Sequence, residues 1–102
     1  MIIGIPKEIY PDERRVAATP ASVQKLLKLG YEVLVQSGAG EPAHYDDEAY
    51  TNAGAAIAVD ASALWSQADF ILKVRPPADN AMLDRHEVDM MKQGACLASY
   101  IW

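Results

Sequence analysis

Two apolar runs of strand type, separated by one amphipathic helical stretch, constrain this chain more than any other feature in it. Ile2, Ile3 and Ile5 form a run that stops at Pro6, and Val33, Leu34 and Val35 form a second, closed by the turn Ser37-Gly38-Ala39-Gly40. Between them, Thr19 to Leu29 sets Val23, Leu26 and Leu27 on one helical face and turns Lys25 and Lys28 away. Thr19 is a capping residue, Pro20 suits the first helical position, and Gly30 supplies a left-handed stop. Strand, helix and strand in immediate succession make a βαβ unit. Parallel strands and a right-handed crossover then follow almost without choice.

The remainder repeats the alternation. Asp46 or Asp47 caps a short helix running through Ala53, Gly54 ends it, and Ala55 to Val59 is a small strand candidate. Asp60 caps a second short helix, Ala61 to Ser66, with Leu64 and Trp65 on its buried side. Phe70-Ile71-Leu72-Lys73-Val74 is the clearest strand of the second half, closed by Arg75-Pro76-Pro77, since proline cannot donate to a ladder. From Asn80 to Lys92 the apolar positions Met82, Leu83, Val88, Met90 and Met91 predict helix, broken near Arg85-His86, with Gly94 as the stop. Cys96 to Trp102 reads as a last strand. The expected fold is α/β and Rossmann-like: a mainly parallel sheet of four to five strands with flanking helices. A terminal apolar strand needs cover on both faces. The expectation is therefore that residues 1–102 are a single domain forming the first segment of a longer polypeptide, incomplete at the C-terminus.

Composition removes several function classes. The formal net charge of -5 and a pI near 4.8 oppose general attraction to nucleic acid or to an anionic membrane. Cys96 is the sole cysteine, so neither an internal disulfide nor a cysteine-based metal cage can form, and a reducing, cytoplasmic setting is the simpler expectation. The run before Pro6 is too short for a secretory signal, and no apolar run is long enough to cross a bilayer.

Charge is concentrated where an α/β sheet puts its ligands. Lys7, Glu8, Glu13 and Arg15 fall between a strand end and a helix start, and the crevice beyond the carboxyl ends of parallel strands is the usual binding place. The guanidinium of Arg15 suits a carboxylate or phosphate; the plainer alternative is an ion pair with Glu8 or Glu13 that only holds the loop. Lys73 sits inside a run that otherwise describes a strand buried on both faces. Such a lysine must snorkel out, find a carboxylate or lose its proton; the alternative is an edge-strand lysine in water.

Other candidates are weaker. Gly38-Ala39-Gly40-Glu41-Pro42-Ala43 satisfies the dinucleotide pattern G-x-G-x-x-G/A, and Asp60 lies about 20 residues on, where a ribose-binding acid would sit. Against it, Pro42 and His44-Tyr45 delay the next helix to about Asp46, too late for its first amides to face a pyrophosphate. His44 and His86 have no second ligand at helical spacing, so no metal site is expected. Asp12, Glu13, Asp46, Asp47 and Glu48 read as loop charge and helix-start carboxylates. Cys96, among apolar neighbours, reads as core, and no Ser, His and acid are spaced as a triad.

Four motifs in order, Gly4-Ile5-Pro6-Lys7-Glu8, Glu13-Arg14-Arg15-Val16-Ala17-Ala18-Thr19-Pro20, Val35-Gln36-Ser37-Gly38-Ala39-Gly40 and Ile71-Leu72-Lys73-Val74, carry a family resemblance. The chain resembles the amino-terminal region shared by alanine dehydrogenases and the alpha subunit of proton-translocating NAD(P) transhydrogenases. In the dehydrogenase branch, the positions matching Arg15 and Lys73 bind the keto acid, and a catalytic histidine stands where this chain has Trp102. An indole cannot shuttle a proton at neutral pH, so Leu97-Ala98-Ser99-Tyr100-Ile101-Trp102 resembles the transhydrogenase branch instead.

That resemblance implies a bacterial oxidoreductase in which hydride passes from NADH to NADP, coupled to proton translocation in the full complex. It implies that NAD(H) binds mainly to a fold downstream of Trp102, so that Gly38 to Ala43 holds no cofactor and this chain alone is inactive. Arg15 and Lys73 would be the floor of an ancestral substrate pocket whose charged groups converge. The partners implied are the NADP-binding and membrane components, with a homodimer at full length, peripheral at the cytoplasmic face of the inner membrane. Two other readings stay open: a fragment of an alanine dehydrogenase-type enzyme, and a standalone non-catalytic α/β module.

Overall fold

Ile2–Ile5 forms strand β1, and every parallel strand of the molecule is placed relative to it. The other strands of its sheet are β2 (Glu32–Gln36), β3 (Ala56–Ala58), β4 (Phe70–Lys73) and β7 (Cys96–Ser99), in the order β3-β2-β1-β4-β7. All four pairings are parallel. This computed structural model describes residues 1–9, 13–74, 79–80 and 85–99. The expected Rossmann-like sheet of four to five strands is thus present with five.

Helices cover both faces of the sheet. On one face Ile3 and Ile5 of β1 and Val33 and Val35 of β2 meet Val23 of helix α1 (Pro20–Lys28) and Tyr50 of helix α2 (Asp47–Asn52). On the other, Leu34 and Ile71 meet Leu64 and Trp65 of helix α3 (Ala61–Gln67). Strand alternation produces this division, because successive side chains leave a strand on opposite sides. At Gly4 the side that faces α3 has no room: a Cβ there would lie 2.6 Å from that of Ala68. Helix α3 therefore rides directly on β1.

The helix ends follow the expected chemistry. The Thr19 hydroxyl accepts from the amide of Ser22, Asp46 from that of Ala49 and Asp60 from that of Ala63, each satisfying a donor that the first helical turn leaves without a partner. At the opposite end of the sheet Asp69 ties strand starts together. Its carboxylate accepts from the amide of Ile2 at 2.7 Å and pairs with Lys92, and its carbonyl accepts from the amide of Cys96. Those hydrogen bonds, first from Lys92 and then from Ile2, hold its carboxyl below the usual carboxylate range.

Two expectations differ from the structure. Among the described residues, the helix predicted over Asn80 to Lys92 is not seen. Asp79–Asn80 (β5) pairs antiparallel with Arg85–His86 (β6), and Glu87–Met90 is a 3-10 helix. A 3-10 turn has about three residues per turn, which puts Glu87 and Met90 on one side, and both are buried. Cys96 is exposed rather than core, because it stands on the outermost strand. Of the two alternatives for Lys73, the edge-strand one does not apply, since β4 lies between β1 and β7. The strand expected over Cys96 to Trp102 is seen as Cys96–Ser99; Tyr100 to Trp102 lie outside the described residues.

Tyr50 joins the second helix to the charged loop: its buried hydroxyl donates to the carbonyl of Ala18 at 2.7 Å. Burial, with a smaller contribution from Tyr45, pushes its phenol from 10.0 up to about 12. The folded state therefore holds this proton more tightly than the unfolded one. The stability it contributes is complete below about pH 10 and is lost as pH rises toward 12. Between pH 9 and pH 11, denaturant titrations of the wild type should lose about 1 kcal/mol more than those of Tyr50→Phe. At neutral pH the same substitution should cost about 1 to 3 kcal/mol, because it strands a buried carbonyl.

Candidate functional site

The chain leaves β1 for β2 and β3 on one side of the sheet and returns to β4 and β7 on the other. The reversal opens a crevice between the carboxyl ends of β1 and β4, the place where open α/β sheets bind their ligands. The ladder between these strands runs only over Ile3↔Phe70 and Gly4↔Ile71. Past it, Pro6 has no amide hydrogen to offer. The separated strand ends are joined by a side chain. Glu8 accepts the ammonium of Lys73 on Oε1 at 2.7 Å and the amide of Val74 on Oε2 at 2.9 Å.

Lys73 thereby takes the second of the courses open to a buried lysine: it finds carboxylates. Its side chain is 1% exposed, that of Glu8 2% and that of Glu87, whose Oε1 lies 3.6 Å from Nζ, 1%. Glu87 reaches it from the 3-10 turn. A buried pair gains little over a well-packed apolar one, but removing one partner typically costs about 3 to 5 kcal/mol. Such a cluster is weak evidence for stability and better evidence for a specified arrangement at the strand ends.

Arg15 pairs with Glu13. Glu13 receives the backbone amide and Nε of Arg15 on Oε2, both at 2.9 Å, and Nη2 on Oε1 at 2.8 Å. The carboxylate is 4% exposed and the guanidinium side chain 47%, so Glu13 grips Arg15 from beneath while the arginine keeps a face in solvent. The loop carrying them is anchored at its far end by the Thr19 cap and by the Tyr50 bond to Ala18.

Lys73, Leu72, Ala17, Ala98 and Ser99 line a cavity of about 150 Å³. Through Ala17 the arginine loop meets the strand that carries the lysine. Arg15 and Lys73 are nonetheless held by different carboxylates, Glu13 and Glu8. Small side chains leave this space, since alanine at 17 and 98 stands where larger residues would fill it. The volume admits a molecule of a few heavy atoms.

The glycine pattern at Gly38 to Ala43 does not fit a dinucleotide. The Gly38 amide donates to Asp47 Oδ1 at 2.9 Å, and the Ser37 hydroxyl donates to Oδ2 at 2.6 Å. A carboxylate therefore already sits where a pyrophosphate would have to approach. These two bonds, the Gly38 amide foremost, lower the Asp47 carboxyl below its usual range. Glu41–Ala43 is a 3-10 turn, and α2 begins only at Asp47. Gly40 serves packing, since a Cβ there would lie 2.5 Å from the Tyr50 ring and 2.7 Å from the Tyr45 carbonyl. His44 is exposed with φ 69°, and among the described residues no three His, Cys, Asp or Glu side chains form a metal group.

Sequence reasoning missed Glu87 and did not match Glu8 to Lys73. A buried lysine announces that a carboxylate must be near, but not which one. Glu87 was hidden because its surroundings read as an ordinary helix.

The family model for the alanine dehydrogenase/PNT N-terminal domain matches residues 4–102. The chain belongs to this alanine dehydrogenase/PNT family. It is 46% identical over 102 residues to the NAD(P) transhydrogenase subunit alpha of Haemophilus influenzae, covering 100% of this chain and 18% of that protein. It is 41% identical over 101 residues to the alanine dehydrogenase of Mycolicibacterium smegmatis, covering 99% of this chain and 26% of the relative. A crystal structure of transhydrogenase from Sinorhizobium meliloti superposes with a TM-score of 0.86 at 38% identity, covering 99% of this chain and 28% of that one. An L-alanine dehydrogenase structure gives 0.83 at 34%, covering 98% and 26%. The chain thus spans about a fifth to a quarter of the relatives it matches. Within this alanine dehydrogenase/PNT domain the candidate cleft is the one between β1 and β4.

Gly40→Ala should destabilise the domain by roughly 1 to 3 kcal/mol, through overpacking against Tyr50 and Tyr45. Thermal or denaturant unfolding checks this. Unchanged stability together with weakened nucleotide binding would restore the glycine pattern as a cofactor site.

Proposed function

We propose that this chain is the amino-terminal segment of the soluble NAD(H)-binding component of an NAD(P) transhydrogenase. On this reading the full protein passes hydride from NADH to NADP, coupled to proton translocation in the assembled complex. The observation that carries the reading is the 46% identity to a transhydrogenase alpha subunit across the whole chain. Trp102 supports it: on the resemblance described above, alanine dehydrogenases need an ionisable imidazole at that position, and an indole does not titrate near neutrality.

The cofactor is assigned to residues beyond Trp102, since Gly38 to Ala43 is engaged by Asp47 and Tyr50. The 102-residue chain by itself is then inactive in hydride transfer. Arg15 and Lys73 form the floor of a substrate pocket inherited from amino-acid dehydrogenase chemistry, reduced here to shaping the cleft. The partners are the NADP-binding and membrane components, with the full-length subunit a homodimer at the cytoplasmic face of the inner membrane. Among the described residues no helix is long and apolar enough to cross a membrane.

A second reading, an alanine dehydrogenase-type enzyme, is favoured by the 41% identity to an alanine dehydrogenase and by the presence of Arg15 and Lys73. One assay separates the two. The full-length protein, with its partner components, should reduce an NADP analogue at the expense of NADH and should not aminate pyruvate reductively. NADH-dependent formation of alanine from pyruvate and ammonia would overturn the transhydrogenase reading.

A further inference from the structure

Lysine is a poor positioning device unless something fixes it, because its ammonium is a point charge on a flexible four-carbon stem. In this chain the stem is fixed at both ends by one carboxylate. Glu8 Oε1 takes the Lys73 ammonium at 2.7 Å, and Glu8 Oε2 takes the amide of Val74, the next residue of the backbone from which the stem springs, at 2.9 Å. Glu87 stands farther off, 3.6 Å from the ammonium. Lys73 also lines the cavity it shares with Ala17, Leu72, Ala98 and Ser99.

We propose that Glu8 is the positioning residue of this cleft, clamping the Lys73 side chain and the adjoining backbone together so that the ammonium is held at the cavity wall. Glu8 does so from across the crevice, since it follows β1 while Lys73 ends β4. It also replaces the ladder hydrogen bonds that cease after Gly4↔Ile71. Glu87 adds charge to the cluster from the 3-10 turn, at 3.6 Å from the ammonium. The proposal rests on Lys73 being a cleft residue, as read above, but not on which reaction the full-length protein performs.

Acylation of lysine amines, followed residue by residue by mass spectrometry on the 102-residue chain, tests it without nucleotide or hydride acceptor. In the wild type Lys73 should label far more slowly than the exposed Lys25 and Lys28. Losing a charge-assisted bond corresponds to about tenfold to a hundredfold in an equilibrium, so Glu8→Gln should speed Lys73 labelling by about that factor. Lys25 and Lys28 should label at unchanged rates, and Glu87→Gln should raise Lys73 labelling less. Equal protection of Lys73 in wild type and a folded Glu8→Gln, or a larger effect of Glu87→Gln, would overturn the proposal. If Glu8→Gln does not fold, the wild type decides by NMR. A scalar coupling between the Val74 amide nitrogen and the Glu8 side-chain carboxyl carbon is expected, and its absence would overturn the clamp. Loss of transhydrogenase activity in the full-length protein would leave either outcome unaffected, so the two readings fail separately.

Discussion

A single carboxylate bridges the strand ends where β1 and β4 part. Parallel strands ordered on either side of a first strand must diverge where the order reverses, and their ladder stops there. In this domain the last paired positions of β1 and β4 are Gly4 and Ile71, and the chain beyond them carries a lysine that the strand pattern has already buried. Glu8 meets the Lys73 ammonium and the Val74 amide with its two oxygens. The cavity and the buried Glu87 carboxylate both lie beside that pair.

Lys73 and Arg15 share one design. Each is backed by a buried carboxylate close in space, Lys73 by Glu8 and Arg15 by Glu13. They differ in exposure, which separates their physical roles. The lysine pair is sealed from water and therefore specifies an arrangement, whereas the arginine is half in solvent and its pair is partly screened. The end of the arginine loop nearest α1 is anchored by uncharged groups, the Thr19 cap and the Tyr50 hydroxyl, which Gly40 admits by having no side chain.

Much of this fold could be read in the residues because its signals are local. Thr19-Pro20 and Gly30 mark α1, Asp46 and Asp60 mark the next two helices, and Ile2 to Ile5 and Phe70 to Lys73 are strands by composition alone. The site was less legible because its contacts are long-range. Glu8 and Lys73 are brought together by strand order, and no pattern within either segment states which strands will be neighbours. The stretch from Asn80 to Lys92 misled for a related reason. Its helical look came from apolar spacing, yet Glu87 and Met90 are buried through a tight turn whose shape depends on Lys73 and on α3. Cys96 misled through its neighbours, because apolar flanks describe a strand without saying whether it lies at the edge.

The account stands on Glu8 and Lys73 acting as one unit at the point where the strands part. A double-mutant cycle on unfolding free energy, with Glu8→Gln, Lys73→Met and the pair, measures that directly. A coupling of about 2 kcal/mol or more is predicted, with the double variant close to the less damaging single one. Additivity within about 0.5 kcal/mol would contradict the account, because it would mean that the carboxylate and the ammonium are buried side by side without depending on each other.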